Sequence, residues 1–319
     1  MNEFDLINNY FLKIAKKNKF ALNLNDDVFF DKKRGVVISV DTYNIGTHFI
    51  DFKYPDLVIK KILRSSISDL ICKGVKPKFY FISGSGNKKT FTKKNLYKIS
   101  KSLKTEQNKF NIDLCGGDTT FSNKLSFTIT SLGYSNKIIY RNKAKSNDDI
   151  YVTGNLGDSY LGLKLLKNEI NFKKKDKKFF IDKYYKPKLP FNLTKYLLKF
   201  ANSSIDISDG LFDDLSKMIN RQNLSYHLFE KKIPVSKKLS DLIKNQRLNK
   251  INLISKGDDY QTLFTADVNK SRIIKNASKT TGIKITKIGK IVSGKDRSLV
   301  FDQKDKQIQA KSKGYIHQF

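Results

Sequence analysis

Val36, Val37, Ile38 and Val40 form a β-branched run that predicts a buried strand. The run delivers Asp41 at its end, and Gly46 and His48 follow in the loop. The period then lengthens. Val58, Ile59, Ile62, Leu63, Ile67 and Leu70 recur at helical spacing and predict a helix from about 56 to 73, with Gly74 at its C′ position and Pro77 as the stop. Upstream, Phe4, Ile7, Phe11 and Ile14 predict an amphipathic helix over 3–16, followed by a strand over 28–30. Downstream, the pattern predicts a strand over 78–83 ending in Gly84-Ser85-Gly86 and a helix over 92–103. An alternating strand through Phe110, Ile112 and Leu114 follows, then another over 125–129 with Arg141 at its far end.

Residues 142–148 are polar and mark the expected boundary between a domain of residues 1–141 and one of residues 148–319. The second half opens with a strand over 150–153. It leads through Gly154-Asn155-Leu156-Gly157-Asp158 into a helix carrying Leu161, Leu165 and Leu166. This turn imitates a dinucleotide fingerprint without its glycine spacing, so it is read as structural. Residues 173–178 read as a solvated loop or helix flank. A strand over 203–206 ends in Asp206, and Ser208 or Asp209 is placed to cap a helix whose core face is Leu211, Leu215 and Met218. Gly257-Asp258-Asp259-Tyr260 precedes a strand (261–266), a helix (271–279) and a strand (283–291). Strands and helices alternating over 319 residues give a mixed α/β (α+β) class with two domains.

The apolar fraction of 39% and aromatic fraction of 12% belong to a folded chain. A net charge of +32 would ordinarily suggest nucleic acid or an anionic surface as partner. The basic residues, however, are 55 Lys and only seven Arg, in a chain also rich in Asn, Ile, Phe and Tyr. That mixture fits lysine-filled surface positions better than a nucleic-acid interface, where Arg clusters and interleaved aromatics are expected. No nucleic-acid or membrane partner is therefore expected, and no apolar run reaches the length of a membrane span. Cys72 and Cys115 lie in apolar segments without zinc spacing and read as buried free thiols in a reducing cytoplasm.

The chemistry lies in the aspartates. Asp26-Asp27, Asp41, Asp69, Asp118 (after Gly116-Gly117) and Asp206 with Asp209 all sit at the ends or edges of apolar elements, beside glycines, serines and core residues. Converging carboxylates raise one another's pKa unless cations neutralise them. The pattern predicts a polyaspartate Mg²⁺ site serving phosphate chemistry. Paired glycines at 116–117 allow close backbone approach to a ligand, with amides free to meet phosphate oxygens. Asp69 falls at the edge of its helical stripe near Ser65, Ser66 and Ser68, and Asp206 lies inside a strand where a carboxylate needs a partner.

The ordered set of motifs resembles the thiamine-monophosphate kinase family, within the aminoimidazole-ribonucleotide-synthetase-like ATP-binding superfamily. The set begins with Asn25-Asp26-Asp27, Ser39-Val40-Asp41-Thr42 with Gly46 and His48, and Ser68-Asp69-Leu70 with Gly74 and Pro77. Gly116-Gly117-Asp118-Thr119-Thr120, Arg141 and Tyr151-Val152-Thr153-Gly154 with Gly157-Asp158-Ser159 follow. Ile205-Asp206-Ile207-Ser208-Asp209-Gly210-Leu211, Gly257-Asp258-Asp259-Tyr260 and Gly314-Tyr315 complete it. Each piece is weak alone, and the order makes the set specific. The resemblance implies an N-terminal α/β domain pairing through its sheet in a homodimer, and a larger C-terminal α/β domain. It implies Mg²⁺ at Asp27, Ser39, Val40, Asp41, Asp69, Asp118, Asp206 and Asp209. ATP contacts would come from Gly117, Asp118, Arg141 and Ser208, and a thiamine-phosphate pocket from His48, Asp258 and Tyr315. Asp41, Asp118 and Arg141 are the implied catalytic residues.

Three positions depart from the family pattern. Val40 stands where a hydroxyl residue is common, Asp258 replaces the usual Glu, and Asn25 replaces the usual Gly. The implied acceptor, a phosphate monoester with second pKa of roughly 6, is largely dianionic at neutral pH and needs no general base. Catalysis then consists of charge neutralisation and in-line positioning. Rival expectations are another ATP-using synthetase of the superfamily, of selenophosphate or purine-pathway type, and a basic nucleic-acid-binding protein. A selenophosphate synthetase is expected to carry a reactive Cys near its N-terminus, and no Cys precedes Cys72.

Overall fold

The computed structural model of the chain describes residues 1–246 and 248–308. Tyr315, expected in the substrate pocket, lies outside the described residues, as does Gly314. Strands β1 (Phe29–Asp31), β2 (Val36–Asn44), β3 (Pro77–Gly86), β4 (Asp113–Gly116), β5 (Thr119–Phe121) and β6 (Ser126–Tyr134) make one sheet. Its order is β1-β2-β6-β3-β4, with β5 also on β3; the first four strands are antiparallel and β4 and β5 run parallel to β3. The second sheet holds β7 (Asp149–Thr153), β8 (Ala201–Asp206), β9 (Leu224–Phe229), β10 (Thr262–Ala266), β11 (Ile285–Ser293), β12 (Leu299–Phe301) and β13 (Gln307–Ile308). Its order is β13-β12-β9-β11-β7-β10-β8. The polar segment 142–148 separates the two sheets along the chain.

At the N-terminus, α1 (Glu3–Leu6) and α2 (Leu12–Ala15) flank a π-turn at Ile7–Phe11, so the expected single helix is broken in register. Helix α3 (Pro55–Cys72) starts on proline, where the missing amide costs no hydrogen bond. It ends as expected, with Gly74 at φ +77. Val58, Ile59, Ile62, Leu63, Ile67 and Leu70 are all buried. Burial extends around the helix to Lys61, Arg64, Ser65, Ser66 and Ser68, because α3 packs against the first sheet on one side and β8 and β10 on the other.

Helix α4 (Lys93–Phe110) is longer than the pattern suggested. Phe110 ends this helix instead of opening a strand. Its ring is buried against Phe191, and Asn111 at φ +51 turns the chain into β4. The remaining helices are α5 (Asp158–Leu166), α6 (Lys174–Tyr185), α7 (Thr194–Leu197), α8 (Leu211–Ile219), α9 (Lys237–Gln246), α10 (Lys250–Ile254) and α11 (Ser271–Thr281). The lysine-rich stretch at 173–178 begins α6, whose Tyr184 and Tyr185 join the core of the first sheet together with Leu189 and Tyr260. That shared core clamps the two halves of the chain on α3.

Candidate active site

The aspartates of the two halves meet along α3. Carboxylate oxygens of Asp27, Asp69 and Asp206 all lie within 4.8 Å of one another. Asp69 comes from α3, Asp206 from the end of β8, and Asp27 from the loop before β1. On β2, Ser39 and Asp41 face α3: the Ser39 hydroxyl donates to Asp69 through a short bond, and Tyr43 donates to Asp41 at 3.1 Å. Ser68 donates to Asp206 at 2.5 Å. Burial raises the Asp41 carboxyl to about 7, with the Asp206 charge adding to it. Burial first, then Asp41 and Asp206, holds Asp69 well above the ordinary carboxylate range, and burial raises Asp206 as well. Asp27, Asp41, Asp69 and Asp206 line one cleft of about 590 Å³ with Asp26, Arg141, Ser208, Asp209, Lys217 and Tyr260.

Two cations counter the acids on one side. Lys73, fully buried at the end of α3, pairs with Asp26 at 2.7 Å and with Asp27 at 2.9 Å and donates to the Ser204 carbonyl. Burial pushes its ammonium down, but the neighbouring acids, Asp26 foremost, more than offset this and leave its pKa raised. Arg141 lies in the connection after β6. Its guanidinium makes a fork on Asp27, and its amide donates to Asp26 at 3.0 Å.

The loop after β8 supplies the opposite wall. Ser208 lines the cleft, and its carbonyl accepts from the Asp258 amide at 2.9 Å. A Cβ on Gly257 would sit 1.5 Å from that carbonyl, so only glycine permits the two loops to touch. Asp209 does not cap α8, contrary to expectation. Gly210 is the N-cap residue, and Asp214 from the first turn accepts from the amides of Asp209 and Gly210 at 3.0 Å each. Asp209 is thereby left to pair with Lys217 at the cleft. Burial, then Asp209, raises the Asp214 carboxyl to about 7.

A second group of residues adjoins the cleft through Tyr260. Its hydroxyl donates to Asp258 Oδ1 at 2.9 Å, and the same oxygen lies 2.5 Å from Lys61 Nζ. Lys61 also stands over the Tyr184 ring, 4.0 Å from its centroid, while the Tyr184 hydroxyl donates to the His48 carbonyl at 3.2 Å. Expected substrate residues His48 and Asp258, 210 positions apart in sequence, are therefore joined through Tyr184 and Lys61.

Other expected site residues fall elsewhere. Val40 alternates with Ser39 and Asp41, so its side chain turns away from α3 and is 61% exposed at the cleft rim. Gly117 and Asp118 are exposed at the β4–β5 edge and are not brought to the acidic cleft. A Cβ on Gly117 would come 1.8 Å from the Ile82 carbonyl, so its glycine serves close strand packing here. Asp118 accepts from the Thr119 amide at 2.8 Å. Cys72 is buried as expected, but Cys115 is exposed because β4 lies at the sheet edge with both faces uncovered.

Residues 24–135 match the family described as AIR synthase related protein, N-terminal domain. Over 99% of its length the chain is 33% identical to the thiamine-monophosphate kinase of Buchnera aphidicola subsp. Schizaphis graminum, covering 98% of that protein. It is 34% identical to the enzyme of the same name from Buchnera aphidicola subsp. Acyrthosiphon pisum, with the same coverage of each. The chain belongs to the thiamine-monophosphate kinase family. Its fold superposes on a solved structure described as AaThiL complexed with AMPPCP and TMP, with TM-score 0.84, 26% identity and coverage of 99% and 97%.

Among the residues at or beside the cleft, sequence reasoning missed Lys61, Lys73, Asp214 and Tyr260. Lys61 and Lys73 are two of 55 lysines, and composition makes any single lysine look like surface filling. The available signal was position: Lys61 stands next to Ile62 in the apolar stripe of α3. A lysine buried at that stripe needs an acid partner. Asp214 follows Asp213 in a first helical turn, where acids are ordinary.

Proposed function

We propose that this chain transfers the γ-phosphoryl group of ATP to the phosphate of thiamine monophosphate, forming thiamine diphosphate and ADP. The convergence of Asp27, Asp69 and Asp206 in a buried, oxygen-rich cleft built from both halves of the chain carries this reading. The donor set fits Mg²⁺: it offers carboxylates and hydroxyls only, and burial makes their charge unfavourable until a cation arrives. Asp27, Asp41, Asp69, Asp206 and Asp209 would hold the ions, helped by Ser39 and the main chain at Val40. Bound Mg²⁺ would supply charge neutralisation for the phosphates of the two substrates.

The chain's own residues then do the positioning. Arg141, held by Asp27, and Ser208 on the opposite wall are assigned to the nucleotide phosphates. Tyr43 and Tyr260 flank the acids and keep the Asp41 and Asp258 carboxylates oriented. No general base is required, because the acceptor is already ionised. His48 and Asp258 are assigned to the organic part of thiamine monophosphate, on the far side of Tyr260 from the acids. Gly117 and Asp118 retain the family's assignment to nucleotide and metal, although in the single chain they stand outside the cleft.

The protein is further proposed to act as a homodimer paired through the first sheet, in the cytoplasm. The outer face of that sheet exposes Val40, Phe81 and Tyr134, and its β4–β5 edge exposes Leu114 and Phe121 (76%), an unusual apolar area for a free surface. Domains of 1–141 and 148–319 form part of the same proposal, with the sheets on either side of the division. Among the described residues no helix is long and apolar enough to cross a membrane. The test is incubation with Mg²⁺, ATP and thiamine monophosphate, followed by phosphorus NMR. Appearance of the diphosphate signal with ADP is expected; ADP formed equally fast without thiamine monophosphate overturns the proposal.

A further inference from the structure

Lys61 is the most deeply buried cation next to an expected substrate residue, and nothing in the transfer itself uses it. Its side chain is 1% exposed, whereas that of its partner Asp258 is 26% exposed. The ammonium is enclosed by the Tyr184 ring at 4.0 Å, the Tyr260 ring at 5.7 Å and the Asp258 carboxylate at 2.5 Å. Burial lowers its pKa, and the Asp258 charge opposes that. A buried lysine is tolerated when carboxylate and aromatic faces replace its water.

The Asp258 side is equally constrained. Its backbone is left-handed (φ +68), as is that of Tyr260 (φ +49), and neither is glycine. Such a conformation persists only when the surroundings determine it. Two backbone hydrogen bonds anchor the segment: the Asp258 amide donates to the Ser208 carbonyl and the Tyr260 amide to the Ile207 carbonyl. Lys61 and the Tyr260 hydroxyl both bond Oδ1, so one edge of the carboxylate is committed to the protein. The remaining quarter of the side chain faces outward.

We propose that Lys61 is a positioning residue for substrate recognition: it anchors Oδ1 of Asp258 so that the carboxylate presents a fixed acceptor edge to a hydrogen-bond donor on the organic part of the substrate. This rests on the assignment of Asp258 to the thiamine-monophosphate pocket. With its charge offset by Lys61, Asp258 recognises that group by directed hydrogen bonding more than by net charge. Lys61 acts through Asp258 and does not touch the reacting phosphates.

A double-mutant cycle tests this, using steady-state kinetics for both substrates on the full chain. Lys61→Met should raise KM for thiamine monophosphate about tenfold while kcat and KM for ATP change much less. The pair Lys61→Met/Asp258→Asn replaces an ion pair by neutral groups and avoids leaving a carboxylate beside an apolar hole, so it keeps the test open if Lys61→Met folds poorly. The double variant should have a KM for thiamine monophosphate no higher than Asp258→Asn alone. Multiplicative effects of the two changes would overturn the positioning role, as would equal losses for both substrates that track melting temperature. Wild-type protein making no thiamine diphosphate would instead overturn the proposed function itself. Normal wild-type turnover with an unchanged KM in Lys61→Met would overturn the role of Lys61 alone.

Discussion

The Ser68 hydroxyl lies 2.5 Å from Asp206 Oδ2, a contact between residues 138 positions apart that joins α3 to the end of β8. Through it the first half of the chain orients a carboxylate of the second. Ser68→Ala removes the donor from a buried acid, which costs roughly 1–3 kcal/mol. The expected result is a lower melting temperature and a severalfold higher Mg²⁺ concentration for half-maximal activity. A Mg²⁺ titration of initial rates checks the second part, and an unchanged midpoint would show that Ser68 only packs.

Asp41 gives the opposite sign for stability. Burial raises its folded carboxyl to about 7, against an ordinary value of 3.8. A carboxyl raised on folding costs stability progressively as pH climbs from about 4 through 7. Asp41→Asn should therefore stabilise the metal-free protein at pH 7.5 by roughly 1–3 kcal/mol, with the gain vanishing near pH 4. Turnover should be abolished, and Mg²⁺ should raise the melting temperature of wild type far more than that of the variant. Melting curves at two pH values, with and without Mg²⁺, decide it.

Gly257 and Gly282 make a matched pair. A Cβ at Gly257 meets the Ser208 carbonyl at 1.5 Å, while at Gly282 (φ +66) nothing lies within 4 Å. Gly257→Ala must push the Asp258 loop away from β8, so a loss above about 2 kcal/mol and a raised KM for thiamine monophosphate are expected. Gly282→Ala carries only the conformational cost, about 1 kcal/mol, with kinetics intact. Comparable stability losses in the two variants would argue against close packing of the loops.

Asp258→Ala should affect both binding and folding, because it strands the buried Lys61 ammonium. Asp258→Asn retains an acceptor for Lys61 and should be the milder change. The expected order of KM for thiamine monophosphate is wild type, then Asn, then Ala, with melting temperature falling in the same order. An Ala variant as stable as wild type would mean that Lys61 finds another partner or deprotonates.

Phe121→Glu combined with Tyr134→Glu places charge on the exposed edge and the outer face of the first sheet without touching the cleft. Light scattering should report a dimer for wild type and a monomer for the variant. A wild-type monomer at working concentrations would remove the dimer from the functional proposal.

Much of this protein could be read from residue order alone. The stripe of α3, Gly74 at its end, the run that became β2 and Asp206 closing β8 are local signals, because period and turn chemistry act over a few residues. The aspartates stood out for the same reason: scarce acids beside glycine and serine need a partner wherever they are folded. Local signals failed where a distant surface decided. Phe110 stayed in a helix because Phe191 covers it, and Asp209 lost the cap position to Gly210, its own amide and that of Gly210 both donating to Asp214. Among 55 lysines only the place of Lys61 beside the α3 stripe was a local hint; packing decided that Lys61 and Lys73 are the ammonium groups that lost their water. It also kept Asp118 out of the cleft in the single chain and gathered Asp27, Asp69 and Asp206 from three elements of both halves. A sequence pattern can require a carboxylate to find a partner; which partner it meets depends on contacts between residues far apart in the chain.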